Sequence, residues 1–167
     1  MQNLTKIKQA TIADIPTIQA IAEQTWRPTY GEILTEEQTL FMLDMMYSTA
    51  SLTKQFETNS FILIGDDTQW LGYAGFEPKN GQVMKLHKIY LLPQTQGKGL
   101  GKALIEEVVK ITKEKGLSII ELNVNRNNKA IGFYQKNGFQ IVDEVDINIG
   151  NGYWMNDFVM HKVIEQA

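Results

Sequence analysis

A chain of 167 residues with 43% hydrophobic and 21% charged residues, 13 Gly and 4 Pro suits one globular domain spanning residues 1–167 and excludes a fibrous or disordered chain. The formal charge of −3 argues against a general nucleic-acid binder, which needs clustered basic surface. The absence of cysteine removes disulfide frameworks, thiolate metal sites and cysteine nucleophiles together.

Residues 4–10 alternate weakly and read as a first strand. Thr11-Ile12-Ala13-Asp14 is a capping-box-like start for a helix whose apolar positions are Ile15, Ile18, Ile21 and Ala22. The segment Trp26 to Gly31 (WRPTYG) breaks that pattern, and Thr35 to Tyr47 resumes it as a second helix. Ser60 to Ile64 and Trp70 to Phe76 are apolar runs around Gly65-Asp66-Asp67, predicting two strands joined by a tight turn. Past the turn signal Pro78-Lys79-Asn80-Gly81, Val83 to Leu92 reads as the next strand. Leu100 to Lys115 is a strong amphipathic helix, with Leu100, Ala103, Leu104, Val108 and Ile111 on one face, and Gly116 ends it. Ile119 to Asn125 reads as a strand and Lys129 to Lys136 as a short helix, with Gly138 at its left-handed C′ position and Phe139 folding back. Ile141 to Ile149 and Tyr153 to Val163 complete a hairpin around Gly150-Asn151-Gly152. No run is long and apolar enough for a signal peptide or a membrane span, so a cytoplasmic protein without a membrane partner is expected.

Chemistry concentrates in Ile89 to Leu104, IYLLPQTQGKGLGKAL: an apolar strand, a glycine-rich turn and the start of the strong helix. Glycines 97, 99 and 101 let the backbone approach a bulky ligand, and the first N–H groups of the helix lack intrahelical partners and favour an anion. A Walker loop is excluded, because neither Gly97-Lys98 nor Gly101-Lys102 is followed by Ser or Thr. A dinucleotide fingerprint is excluded as well, since its last glycine would fall on Lys102 or Leu104.

What fits is Q-x-x-G-x-G, read as Gln96-Gly97-Lys98-Gly99-Leu100-Gly101, which resembles the coenzyme A pyrophosphate loop of the GNAT superfamily of N-acetyltransferases. Leu122 to Phe139, LNVNRNNKAIGFYQKNGF, is similar to the other half of that family's signature in Ala130, Tyr134 and Gly138-Phe139. Its Asn is Asn128 when counted forward from Val124 and Asn127 when counted back from Ala130. The resemblance implies an α/β GNAT fold: a mixed, mainly antiparallel six- to seven-stranded sheet flanked by helices, with two splayed parallel strands forming the cofactor wedge.

It further implies acetyl-coenzyme A as cofactor, held by Ile89, Tyr90 and Leu91 on one wedge strand, by Gln96, Gly97, Lys98, Gly99, Leu100, Gly101 and Lys102, and by Asn127 or Asn128 with Tyr134. The N–H of Leu91 is the candidate for polarising the thioester carbonyl, and Tyr134 the candidate proton donor to the departing thiolate. Protein-N-terminus-acetylating relatives can carry a Glu where this chain has Asn123, which cannot serve as a base. His87 is therefore the candidate base, Glu121 the next, and His161 is read as structural. Trp26, Tyr30, Glu32, Tyr153 and Trp154 are the candidates for holding a cationic amine, against the reading that the aromatics only pack. The expected function is transfer of an acetyl group to a primary amine of a small, polyamine-like acceptor. A non-catalytic acyl-coenzyme A sensor and acetylation of a protein amine are the alternatives. No metal and no nucleic acid are expected, and a homodimer is left open.

Overall fold

The computed structural model describes residues 5–95 and 99–165. Seven strands form a sheet in the order β1-β2-β3-β4-β5-β7-β6, and helices accompany it. The chain divides into two compact units, Met1–Glu77 with Lys88–Leu104, and Pro78–His87 with Ile105–Ala167.

In the first unit β1 (Lys6–Gln9) pairs antiparallel with β2 (Ser60–Gly65), and β2 with β3 (Trp70–Pro78). Asp66 organises the β2–β3 turn by accepting from the backbone N–H of Thr68 at 2.8 Å and of Gln69 at 3.1 Å. At the N-terminal end the capping box forms as the sequence predicts, Thr11 and Asp14 each bonding the other's backbone, but it caps a 3-10 turn over Ile12–Asp14. Helix α1 (Ile15–Tyr30) follows directly.

The predicted break at WRPTYG does not occur. Pro28 lies inside α1, where its missing N–H costs one helical hydrogen bond, yet Thr25, Trp26 and Tyr30 around it are all buried. Burial of two large aromatic side chains, about 2–3 kcal/mol each, outweighs one lost bond. Helix α2 (Glu36–Tyr47) is capped by Thr35, whose hydroxyl accepts from Gln38 N–H at 3.1 Å. A further helix, α3 (Thr49–Gln55), escapes the periodicity because it is two turns long and buries only Leu52. Its signal was a cap, Ser48, which accepts from Ser51 N–H at 3.1 Å.

The second unit holds the parallel pair. Strand β4 (Val83–Leu91) begins here and β5 (Ile119–Asn125) runs alongside it, with partners Val83–Ile119, Met84–Ile120 and Lys85–Glu121. That ladder stops at Lys85–Glu121, although within this unit β4 continues to His87 and β5 to Asn125. On its other edge β5 pairs antiparallel with β7 (Tyr153–Val163) over its whole length, and β7 pairs with β6 (Gln140–Gly150). The hairpin turns at Asn151 and Gly152, both at positive φ (56° and 77°), as a two-residue turn of matching twist requires. Helix α4 spans Leu100–Glu114 and ends at Gly116 with φ 72°.

Candidate functional site

Three separate constructions carry the residues that the sequence singles out. The first lies at the start of α4. Gly99 has φ 74°, and a Cβ placed there would meet nothing within 4 Å. Its carbonyl accepts from Ala103 N–H at 3.1 Å, so Gly99 stands as the residue before the helix. Leu100, Gly101 and Lys102 then supply N–H groups that no helical carbonyl can reach. Open space beside N–H donors that lack intrahelical partners is a cradle for an anion. Gln96, Gly97 and Lys98 lie outside the described residues. In the same unit, the end of β4 is packed tightly onto β3: a Cβ on Gly72 would come within 2.7 Å of the Tyr90 carbonyl oxygen and 2.5 Å of Leu91 Cδ2. Ile89, Tyr90 and Leu91 are all partly exposed.

The second construction is α5 (Ile131–Lys136) with its two ends. Asn128 closes the entry, its side-chain oxygen accepting from Ala130 N–H at 2.8 Å while its own N–H donates to the Asn125 carbonyl at 2.9 Å. This local closure is why the helix starts two residues later than its sequence pattern predicts. Asn127 is exposed, and its N–H donates to the Asn125 side chain at 2.9 Å. At the other end Gly138 (φ 92°) donates to the Gln135 carbonyl at 3.1 Å and Phe139 donates to the Tyr134 carbonyl at 3.0 Å. Those two bonds make the Schellman closure expected of a C′ glycine. The buried Phe139 ring sits 5.8 Å from that of Tyr134, so the same closure fixes the tyrosine.

The third is a polar face of the β4-β5-β7 sheet. Directly opposed residues and alternate residues of a strand share a face, which puts Lys85 and His87, Glu121 and Asn123, Asp157 and His161 together. Glu121 is a hub: it accepts from Lys79 at 2.8 Å and Lys85 at 3.0 Å, and meets His161 Nε2 at 2.9 Å. Burial works to raise the pKa of this carboxyl, but the hydrogen bonds from Lys79, His161 and Lys85 outweigh it and hold it at about 2. So weak a base takes no proton from an ammonium at neutral pH, which removes Glu121 from the candidate bases and explains His161 as part of its shell. Lys85 also donates to Asn123, and its pKa is lowered by burial against the pull of Glu121. His87 is exposed at the end of the row.

The aromatic candidates for amine binding divide. Trp26 is 1% exposed and packs against the rings of Tyr30, Tyr47 and Tyr90, so its face is not available to an acceptor. Tyr30 is buried too, with its hydroxyl 3.4 Å from that of Tyr90. The cation in this aromatic group is the protein's own: Lys88 lies 5.5 Å from the Tyr47 ring centre, and burial pushes its pKa down to about 8. Sequence reading missed Lys88, since nothing local marks a lysine that tertiary packing buries. Glu32 and Trp154 are exposed and Tyr153 is half-buried, which leaves those three reachable. Among the described residues no cluster of His, Asp and Glu is placed to hold a metal, and no helix is long and apolar enough to cross a membrane.

A sequence model of the acetyltransferase (GNAT) family matches residues 18–139. The chain belongs to this family. The GNAT match covers the Gly99 cradle, β5 and the whole of α5, and this GNAT protein is an N-acetyltransferase. It is 30% identical to a spermidine N(1)-acetyltransferase of Thermoplasma acidophilum over 167 aligned positions, covering 96% of this chain and 98% of the relative. The crystal structure of the PaiA N-acetyltransferase of Thermoplasma acidophilum, in complex with coenzyme A, superposes with a TM-score of 0.83 at 28% identity over 96% of this chain and 99% of that one. The ribosomal-protein-S18-alanine N-acetyltransferase of Escherichia coli shares the fold, with a TM-score of 0.74 at 18% identity over 98% and 96% of the two chains. The mixed, mainly antiparallel sheet with one parallel pair is the GNAT architecture expected from the sequence.

Proposed function

We propose that residues 1–167 form one N-acetyltransferase domain that moves the acetyl group of acetyl-coenzyme A onto a primary amine of a small, polyamine-like acceptor, by direct attack with both molecules bound. The observation that carries the choice of acceptor is the full-length similarity to a spermidine acetyltransferase. Coenzyme A fits the chain: its pyrophosphate suits the open anion cradle at Gly99 and the first turn of α4, and the PaiA structure was obtained with coenzyme A. When bound, the cofactor supplies an activated acetyl group as a thioester.

The chain's own residues have three tasks. Leu91, at the end of β4, offers its backbone N–H to the carbonyl oxygen that gains charge during attack. Tyr134, buried and fixed through the α5 closure, donates its phenolic proton to the departing sulfur. The ammonium of the acceptor must first lose a proton, and the polar face with exposed His87 at its end provides the route for it.

An acceptor screen with thiol release as the signal tests this reading. Spermidine-like diamines and polyamines are expected to give turnover well above a peptide α-amine. A preference for the peptide would move the assignment to protein acetylation, and binding of acetyl-coenzyme A without thiol release from any amine would make the domain a sensor.

A further inference from the structure

Among the described residues the protein buries two carboxylates, Glu121 and Asp157, and both lie on the polar face of the β4-β5-β7 sheet. They differ in one respect. Glu121 has donors on both oxygens, whereas Asp157, 1% exposed, keeps Oδ1 buried without a hydrogen-bond partner. A buried carboxylate oxygen with no donor is costly, by more than a neutral acceptor would be. Such an oxygen is able to accept from a donor that arrives with a ligand.

The surroundings say which kind. Asp157 sits on β7 opposite Asn125, one step along the sheet from Asn123, whose amide donates to it. Both asparagines lie on the stretch of β5 beyond the end of the parallel ladder at Lys85–Glu121. Lys85 and Arg126 are the cations that act on Asp157. On β4, Lys85 is engaged by Glu121 and Asn123. After β5, Arg126 donates to the Asp157 backbone carbonyl at 3.3 Å and to the Asp146 carboxylate at 2.9 Å. On β6 the opposing residue is Val145. On β7 itself His161 is committed to Glu121. The nearby cations are thus paired elsewhere, and the vacant oxygen suits an incoming cationic N–H donor.

Resting on the amine-acetylating reading above, we infer that Asp157 is the catalytic residue that receives the acceptor's ammonium proton. The proton passes from nitrogen to Oδ1, leaving a neutral amine and a neutral carboxylic acid. The amine then forms the N–C bond to the acetyl carbon as the C–S bond breaks, and Tyr134 protonates the sulfur. The second amine proton replaces the one Tyr134 gave up, and Asp157 returns its proton to solvent. Burial raises the Asp157 pKa above the ordinary carboxylate value, against the opposing pull of Asn123, Lys85 and Arg126, which moves it toward the operating pH, as a general base requires.

The test begins with parent turnover on an alkylamine, which judges the functional reading independently. Asp157→Asn is then compared on that alkylamine and on a weakly basic amine such as hydrazine, largely neutral at the assay pH. The expected result is a fall in kcat of about 10²-fold to 10³-fold with the alkylamine and under about tenfold with hydrazine, at unchanged KM for acetyl-coenzyme A. Equal losses on both acceptors would overturn the proposal. A second readout uses the unsubstituted protein: the ¹³C-labelled Asp157 carboxyl, assigned by its disappearance in whichever of D157N and D157E folds, should titrate at lower pH once the alkylamine is added. A midpoint that the amine leaves in place also overturns it.

Discussion

Tyr134 and Glu121 show how surroundings separate two polar side chains that look equally functional in a sequence. The Tyr134 ring is held by Phe139 and its backbone by the Gly138 turn, so removing only the hydroxyl leaves the packing in place. Tyr134→Phe is expected to lower kcat by roughly 10²-fold to 10⁴-fold while the melting temperature and the affinity for acetyl-coenzyme A stay within error. Steady-state kinetics beside calorimetry checks this. Turnover within about twofold of the parent, with chemistry rate-limiting, would return the residue to packing. Glu121 is the opposite case, a carboxylate used for stability. Its pKa falls from 4.5 to about 2 on folding, so its contribution is fully present above about pH 4.5 and is lost as pH falls toward 2. The contribution amounts to at most about 3 kcal/mol. Glu121→Gln should therefore lower stability at pH 7 and flatten the acid limb between about pH 5 and 2, as read from denaturant unfolding at a series of pH values.

The two glycine closures make opposite demands on space. At Gly138 a Cβ would lie 2.6 Å from Lys162 Nζ, a lysine that also caps the Asn137 carbonyl, and φ is 92°. Gly138→Ala is expected to cost about 1–2 kcal/mol through the left-handed backbone alone, and to reduce turnover because the Tyr134 carbonyl loses its Phe139 partner. Thermal unfolding and kcat should move together. At Gly99 a side chain has open room, so Gly99→Val is limited by its φ of 74° and by what the cradle must hold. The variant should stay folded and lose acetyl-coenzyme A affinity by an order of magnitude or more, measured by calorimetry. Unchanged affinity would remove the cradle from the binding site.

A ligand that binds only the folded chain stabilises it as a whole. Coenzyme A at about 100 times its dissociation constant should add roughly 2.7 kcal/mol, and NAD nothing. A thermal shift with NAD alone would contradict the family's chemistry, and a shift with neither would contradict the fit of the cradle.

The strands, α4, the Gly138 closure and the Tyr134 register were legible because each is written in local chemistry: alternation, amphipathic period, or a glycine at a fixed offset. So was the 3-10 turn's capping box, although not the short helix after Ser48 or the persistence of α1 through Pro28, where burial of Trp26 and Tyr30 overrides a local breaker. The site's electrostatics were not legible. Lys79, Lys85, Glu121 and His161 are separated by up to 82 positions (161 − 79) and meet on one sheet face. Burial decided the rest, turning Trp26 from a candidate amine platform into core, Lys88 into a lysine of lowered pKa, and Asp157 into a carboxylate with a vacant oxygen. Protonation free energies depend on solvent exclusion and on charges brought together by the fold, and neither is encoded in the neighbours of a residue along the chain.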